Sequence, residues 1–128
     1  MDKRAVDAGD VQFFELAYLE TEVKFDKTWG YKVVLEDFVI PNLDLVPKEV
    51  RDKVKKWSDY IDYWSVDWNY SGDTFHNQWQ AYRTKKDRKL VLETDAYQYK
   101  KKGEYKIMVK VIDIFGNDTT HIIDLEVK

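Results

Sequence analysis

The stretch GEYKIMVKVIDIFGNDTTHIIDLEV, residues 103–127, decides the fold class of this chain. Apolar residues alternate with mostly polar ones from Tyr105 to Val111 and again from His121 to Val127. This period of two is typical of strands that bury one face. Between the two runs, the pair Gly116-Asn117 can adopt the positive φ angles of a tight turn. The stretch therefore predicts an antiparallel hairpin.

The same alternation recurs upstream, in shorter runs separated by turn residues. We predict strands at residues 11–25 (with a bulge near Tyr18-Leu19), 32–40, 63–70, 75–82 and 90–94, in addition to the two strands above. Gly30 and the run Ser71-Gly72-Asp73 mark two of the turns. About seven short strands predict a mainly β fold, an immunoglobulin-like β-sandwich. We predict a disordered arm at residues 1–10 and a single domain at residues 11–128.

One segment breaks the strand pattern and predicts a short helix over residues 47–58. Pro47 is tolerated in a first helical turn. Val50, Val54 and Trp57 follow the i, i+4, i+7 spacing of one apolar helical stripe. We expect Trp57 to dock this helix onto the sheet.

Composition limits the kinds of protein that this chain can be. The 128 residues suit one domain with its own core, and 44% hydrophobic with 35% charged residues is typical of a globular protein. The absence of cysteine excludes disulfides, thiolate metal sites and cysteine catalysis, and favours a cytoplasmic location. No apolar run approaches the ~20 residues that span a bilayer, so we expect no membrane association.

The chain is rich in aromatic residues, and the strand period sorts them into buried and exposed. The rings predicted to be buried are in phase with the aliphatic face: Trp64, Trp68, Tyr70, Trp79 and Tyr105. Tyr63 and Tyr82 are out of phase, which predicts exposed rings. Because exposed rings stack on bases, Tyr82 beside Arg83 is the preferred stacking candidate.

Positive charge is concentrated in residues 83–110, although the net charge of the chain is −3. This segment has ten Lys or Arg and four acidic residues, a local charge of +6. Such an uneven field can attract phosphates. The candidate DNA contacts lie in two predicted loops: Arg83, Lys85, Lys86, Arg88 and Lys89 in the first, and Lys100, Lys101 and Lys102 in the second. The alternative is that these lysines only maintain solubility and block edge pairing of strands.

No residue pattern indicates a metal site, a cofactor site or catalysis in this chain. The aspartates Asp62, Asp67, Asp73 and Asp95 lack the dense spacing of a calcium loop. His76 and His121 are far apart in sequence and have no cysteine to share a zinc ion with. We expect His121 to be a core or edge residue of its strand.

Two segments resemble the PKD-type immunoglobulin-like domains. YWSVDWNYSGDT (residues 63–74) is similar to the strand and turn W-x-F/Y-G-D-G of that family, and residues 103–127 are similar to its terminal hairpin. The chain departs from the family in the longer turn at residues 69–73 and in the insertion RTKKDRKL. The resemblance implies the same β-sandwich that the alternation predicts.

Residues 12–128 also resemble the C-terminal region of prokaryotic adenine-specific DNA methyltransferases of the restriction–modification type. The similar motifs are IDYW (61–64), FHNQW (75–79), YRTKKDRKL (82–90) and DIFGNDT (113–119). The resemblance implies a parent enzyme that moves a methyl group from S-adenosylmethionine to adenine N6. It also implies a catalytic methyltransferase domain in the same parent chain as a partner.

The chain lacks the D/N-P-P-Y/F tetrapeptide of that family and a Gly-rich loop for the cofactor, since its five glycines are scattered. We therefore predict a non-catalytic accessory domain that assists duplex DNA engagement or subunit docking. The alternative is a structural or protein-interaction β-sandwich without DNA contact, and a third reading is a carbohydrate-surface module.

Overall fold

The computed structural model describes residues 17–41 and 46–128. The predicted arm at residues 1–10 and the first six residues of the predicted first strand lie outside this range. The described residues form six strands: β1 (Tyr18–Asp26), β2 (Gly30–Val39), β3 (Ile61–Asp67), β4 (Trp79–Tyr82), β5 (Gly103–Asp113) and β6 (Asp118–Val127). They also form the helix α1 (Lys48–Lys53) and a 3-10 helix (Trp57–Tyr60).

The strands form two antiparallel sheets, and the predicted β-sandwich is confirmed. One sheet pairs β1 with β2, and the other has the order β4-β3-β5-β6. The hairpin predicted from residues 103–127 is the longest pairing, with Gly103 opposite Val127 and Ile112 opposite Asp118. In the β1-β2 pair the bulge lies between Glu20 and Thr21, slightly later than predicted.

The strand predicted at residues 90–94 is present only as an irregular segment that runs antiparallel beside β2. Backbone hydrogen bonds join Leu35 N–H to the Leu92 carbonyl and Tyr31 to Tyr97 in both directions, each at 2.8 Å. The ladder is interrupted at Val33, whose N–H donates to the Thr94 hydroxyl at 3.0 Å. A side chain thus takes the place of a backbone acceptor, so this segment makes isolated bridges instead of a continuous strand.

The core lies between the two sheets, on the faces that the alternation marked as apolar. Its fully buried members come from both sheets: Val33 and Phe38 from β2, and Ile61, Trp64, Val66, Ile107, Val109 and Val111 from β3 and β5. Trp64 is completely buried, contacts Trp79 edge-to-face at 4.7 Å, and donates its indole N–H to the Val91 carbonyl at 2.7 Å. It therefore anchors the irregular segment to the larger sheet.

Two details are characteristic of immunoglobulin-like sandwiches. The buried Trp64 lies on the third strand, and the Tyr105 hydroxyl near the start of β5 donates to the Lys101 carbonyl at 2.7 Å. The second contact has the form of a tyrosine corner, in which a strand tyrosine bonds to the backbone a few residues upstream. With no cysteine in the chain, no disulfide joins the sheets; core packing and the hydrogen bonds of residues 91–97 do so.

The helix predicted over residues 47–58 is wrong in extent. The α-helix ends at Lys53, Val54 is extended, and a separate 3-10 helix starts at Trp57. The break is stabilised by Asp59, whose carboxylate accepts the N–H groups of Lys55 at 2.9 Å and Lys56 at 3.2 Å. Trp57 is half-buried and packs against the core, as predicted.

The fourth strand is also shorter than predicted, because side chains replace backbone partners ahead of it. The Asp67 carboxylate accepts the N–H groups of Asn69 at 3.0 Å and His76 at 2.8 Å, and Gln78 Oε1 accepts Trp68 N–H at 2.6 Å. These bonds organise residues 68–78 as a loop, and regular pairing starts only at Trp79.

The strand register gives the sandwich two distinct ends. We call one of them the lower end: there Ile61 pairs with Asp113 and Tyr63 with Tyr82, so it contains the 3-10 helix, loop 83–89 and the β5-β6 turn. We call the opposite one the upper end. At the upper end are the β1-β2 turn, loop 68–78 and residues 100–102. In the described ranges, no helix is long and apolar enough to cross a membrane.

Candidate nucleic-acid interface

The structure separates the two predicted basic clusters. Loop 83–89 follows β4 at the lower end, whereas Lys100, Lys101 and Lys102 precede β5 at the upper end. The two ends are separated along the strand direction by the seven residues of β3, which span about 20 Å. The two clusters therefore do not form one continuous basic surface.

Arg83, predicted to contact DNA, is held by internal hydrogen bonds. Its guanidinium donates to the Arg88 carbonyl at 2.6 Å, the Ser58 carbonyl at 2.8 Å and the Ile61 carbonyl at 3.1 Å. These three acceptors come from the loop itself, the 3-10 helix and the start of β3. Arg83 thus acts as a clamp between the loop and the sheet, which is a positioning role that the sequence did not predict; its contact with DNA stays a prediction.

The backbone of the basic loop is closed by its own polar residues. Thr84 N–H donates to the Asp87 carbonyl at 2.8 Å, and Asp87 N–H donates to the Thr84 hydroxyl at 2.9 Å. The Asp87 carboxylate accepts Lys89 N–H at 2.9 Å. The residues that carry the remaining charge are exposed: Lys85, Lys86, Arg88 and Lys89.

The two tyrosines that the strand period left out of phase are direct neighbours in the sheet. Tyr82 is 61% exposed and pairs across the strands with Tyr63, which is half-buried. Tyr63 in turn pairs with Ile112 on β5. Because Tyr82 is the last residue of β4, this row of side chains borders the basic loop directly. We call the set Tyr63, Tyr82, Lys85, Lys86, Arg88 and Lys89 the Tyr82 surface.

Further cations lie at the lower end, in the segment for which the sequence predicts a helix. Lys53, Lys55 and Lys56 are exposed and lead into the 3-10 helix. The Arg83 bond to the Ser58 carbonyl ties this helix to the basic loop. This proximity cannot be predicted from the sequence, because Ser58 and Arg83 are 25 residues apart in the chain and come together only in the folded protein.

The cluster at the upper end lies beside aromatic rings that pack with one another. Trp68 and Tyr97 stack with ring centroids 4.9 Å apart, and Tyr99 contacts Tyr105 at 4.2 Å. Burial raises the pKa of Tyr99, whose hydroxyl donates to the Trp68 carbonyl at 2.6 Å. The predicted burial of Trp68 is confirmed, and Tyr105 is half-buried. These rings contribute mainly to the core.

Two lysines of the basic segment are paired on the sheet surface. Lys106 Nζ lies 2.7 Å from the Asp124 carboxylate, and this hydrogen bond raises the pKa of Lys106. Lys110 Nζ lies 4.0 Å from the Asp118 carboxylate. Part of the local positive charge is therefore neutralised along β5 and β6, which leaves the loops as its main exposed carriers.

Acidic and histidine side chains do not gather into a metal site in the part of the chain that the structure describes. No group of three or more potential ligands is found within residues 17–41 and 46–128. Asp67, one of the aspartates considered from sequence, is fully buried, and its carboxylate lies 3.7 Å from His76 Nδ1. Because its carboxylate accepts two backbone N–H groups of loop 68–78, Asp67 has a structural role.

Replacement of Arg83 by lysine should separate its clamp function from its charge. Lysine keeps the charge but lacks the planar fork that reaches several carbonyls, so we expect a loss of about 1–3 kcal/mol in the free energy of unfolding. Urea denaturation measures this loss. Lys85→Ala, an exposed neighbour, serves as the control and should change stability by less than about 0.5 kcal/mol. Equal stability of Arg83→Lys and the wild type would contradict the clamp.

The lower end thus combines a closed basic loop, an aromatic row and a neighbouring basic segment. Comparisons with protein-family models, curated proteins and solved structures return no match to the chain.

Proposed function

We propose that this β-sandwich is a non-catalytic accessory domain of an adenine-N6-specific DNA methyltransferase and helps that enzyme to engage DNA. The parent enzyme would use S-adenosylmethionine in a separate catalytic domain of the same chain. The methyltransferase part of the proposal rests on the resemblance of the motifs at residues 61–64, 75–79, 82–90 and 113–119. The DNA part rests on the Tyr82 surface, and cytoplasmic location follows from both.

The proposal rests on four exposed cations on a closed loop beside the exposed ring of Tyr82 and the half-buried ring of Tyr63. Lys85, Lys86, Arg88 and Lys89 present their charges to solvent. The one acidic residue among them, Asp87, accepts a backbone N–H of the same loop. The loop is therefore strongly positive, and such a loop binds phosphates through Coulomb attraction and release of counterions.

The Arg83 clamp supports the same function through preorganisation. A loop that is already ordered loses less conformational entropy when it binds a ligand. The Thr84–Asp87 bonds and the Arg83 guanidinium hold the loop against the 3-10 helix and β3. Phosphate contacts of this kind position a protein on DNA but do not read its sequence. The expected role is thus to orient DNA for the catalytic domain.

The proposal predicts a specific change in the salt dependence of DNA binding. We expect a variant with alanine at Lys85, Lys86, Arg88 and Lys89 to bind duplex DNA more weakly. The slope of log K against log salt should become shallower by about 2–4, since each lost phosphate contact removes up to ~0.9. Fluorescence anisotropy of a labelled duplex at several salt concentrations measures both quantities.

A matched control comes from the other end of the sandwich. Alanine at Lys100, Lys101 and Lys102 also removes exposed charge, but about 20 Å of strand separates the levels of the two ends. We expect this control to leave most of the salt slope in place. Equal losses in the two variants, or no duplex binding by the wild type at low salt, would refute engagement of duplex DNA by the Tyr82 surface.

A second candidate function is docking of a partner subunit. The β5-β6 turn exposes Ile114 by 41% and Phe115 by 39% at the lower end. Exposed apolar residues at a turn can anchor a protein interface. Serine at both positions should then weaken association with the catalytic domain of the parent enzyme while leaving DNA affinity unchanged, which co-sedimentation of the two domains would measure.

A further inference from the structure

We infer that the Tyr82 surface binds single-stranded DNA in preference to duplex DNA. This inference rests on the proposed DNA contact and names the form of DNA that the surface suits. It is based on the position of two tyrosines on the outer face of the larger sheet, on the charges around them, and on the packing of most other tyrosines against neighbouring rings.

The Tyr82 ring makes little contribution to the core. Tyr82 is 61% exposed, whereas most other tyrosines are half-buried, including Tyr97, Tyr99 and Tyr105, which pack in the upper aromatic cluster. A large ring left in water at the end of a strand gains little free energy on folding. Its aromatic face is therefore available for a ligand.

Strand pairing places the side chains of Tyr63 and Tyr82 next to each other. Tyr63 and Tyr82 are cross-strand partners on the face of the larger sheet that points away from the core, since Trp64 and Ala81, their neighbours in sequence, are buried. Directly opposite residues in an antiparallel pair have Cβ atoms about 4.5–5.5 Å apart. Two rings at this spacing offer adjacent platforms on which unpaired bases can stack, as aromatic side chains of sheet-based single-strand binders do.

The charged side chains near the two rings are mostly positive. The four loop cations lie within residues 85–89, three to seven positions after Tyr82, and Lys110 lies on β5 opposite Ser65, two positions from Tyr63 on the same face. Acidic groups here are Asp87, within the loop itself, Asp62, which precedes Tyr63, and Asp118, which is 4.0 Å from Lys110 Nζ. Cations therefore prevail on the loop side of the rings, where the phosphates of a bound strand would lie.

Duplex and single-stranded DNA differ in whether the faces of their bases are accessible to protein side chains. In a duplex the bases stack on one another, so phosphate contacts need the lysines but not the rings. In a single strand the base faces are accessible, and stacking on aromatic side chains adds affinity that is tolerant of sequence. The combination of the exposed Tyr82 ring and the half-buried Tyr63 ring with a basic loop thus fits a single strand better than a duplex.

The test compares a labelled 12-nucleotide oligo-dT with a 12-base-pair duplex, by fluorescence anisotropy with the full chain at matched salt. We expect the oligo-dT to bind more tightly. Tyr82→Ala and Tyr63→Ala should each weaken oligo-dT binding by about fivefold or more, with little change in the salt slope because no charge is removed. Tyr82→Phe, which retains the ring, should bind like the wild type.

Tyr18→Ala is the matched control, because Tyr18 is also exposed, by 55%, but lies on β1 of the other sheet. It should leave the affinity unchanged. Duplex binding equal to oligo-dT binding, or unchanged affinity in both Tyr63→Ala and Tyr82→Ala, would overturn this inference while leaving the phosphate contact intact. Failure to bind either form at low salt would overturn the proposed function together with it.

Discussion

Replacement of Trp64 by alanine is expected to lower the free energy of unfolding by about 3–5 kcal/mol. Trp64 is completely buried between the sheets, and its removal leaves a cavity that the rigid strands on both sides can fill only in part. It also removes the edge-to-face contact with Trp79 and the hydrogen bond to the Val91 carbonyl. Urea denaturation followed by far-ultraviolet circular dichroism would measure the loss.

Two variants resolve the origin of this effect. Trp64→Phe keeps an aromatic ring but removes the indole N–H. It should lower the free energy of unfolding by about 1–2 kcal/mol relative to the wild type. Trp29→Ala makes the same substitution at the half-buried β1-β2 turn, where the ring contacts the Lys32 ammonium at 4.8 Å. We expect about 1 kcal/mol or less there. A Trp29→Ala loss as large as that of Trp64→Ala would contradict the assignment of Trp64 as the central core residue.

Replacement of Gly30 by alanine is the second change with a large expected effect, about 2–4 kcal/mol of destabilisation. Gly30 has φ +98°, a conformation that residues with a Cβ rarely adopt. A Cβ at this position would overlap the backbone carbonyl of Tyr97. That carbonyl accepts the Tyr31 N–H, so relief of the overlap would disturb the bridge that joins the irregular segment to β2.

Gly116→Ala separates the strain of the backbone from the overlap. Gly116 has φ +87°, but a Cβ added there meets no atom within 4 Å. It should therefore cost only the conformational strain, about 1–2 kcal/mol. Thermal and urea unfolding of the two variants would measure the difference. If Gly116→Ala were as damaging as Gly30→Ala, the close approach of Tyr97 would not explain the requirement for glycine at residue 30.

The stability variants also bear on the candidate site. Loop 83–89 is held at one side by Arg83 and is followed by Val91, whose carbonyl accepts the Trp64 indole N–H. Trp64→Phe releases this second attachment without removal of any charge. If order in the loop assists DNA binding, Trp64→Phe should weaken binding modestly while the salt slope stays the same.

Much of the fold could be predicted from the sequence because each strand of a sandwich carries a local signature. The alternation in residues 103–127 reflects one buried and one exposed face, and it located β5 and β6 correctly. The phase of the alternation also predicted correctly that Tyr82 is exposed and that Trp64 and Trp68 are buried. It was only partly right for the rings that are half-buried, which are Tyr63, Tyr70, Trp79 and Tyr105. These properties depend on neighbours in sequence, so the sequence alone carries them.

Other features depended on contacts between residues that are distant in sequence. The side-chain bonds of Asp59, Thr94 and Asp67 shortened or interrupted elements for which the residue pattern predicted longer runs. Each of these groups competes with a backbone partner, and the competition is settled only when the chain is folded. The same reason explains why the helix at residues 47–58 was predicted too long.

The candidate site illustrates the same division. By itself, the sequence determined that the chain is a cysteine-free β-sandwich, that its positive charge is concentrated in two loops, and that Tyr63 and Tyr82 fall outside the core phase. Only the tertiary structure decided that these tyrosines are partners, that Arg83 is bound to three carbonyls, and that the basic loops lie at opposite ends. Strand register brings distant residues together or keeps near ones apart, and register is a property of the assembled sheets.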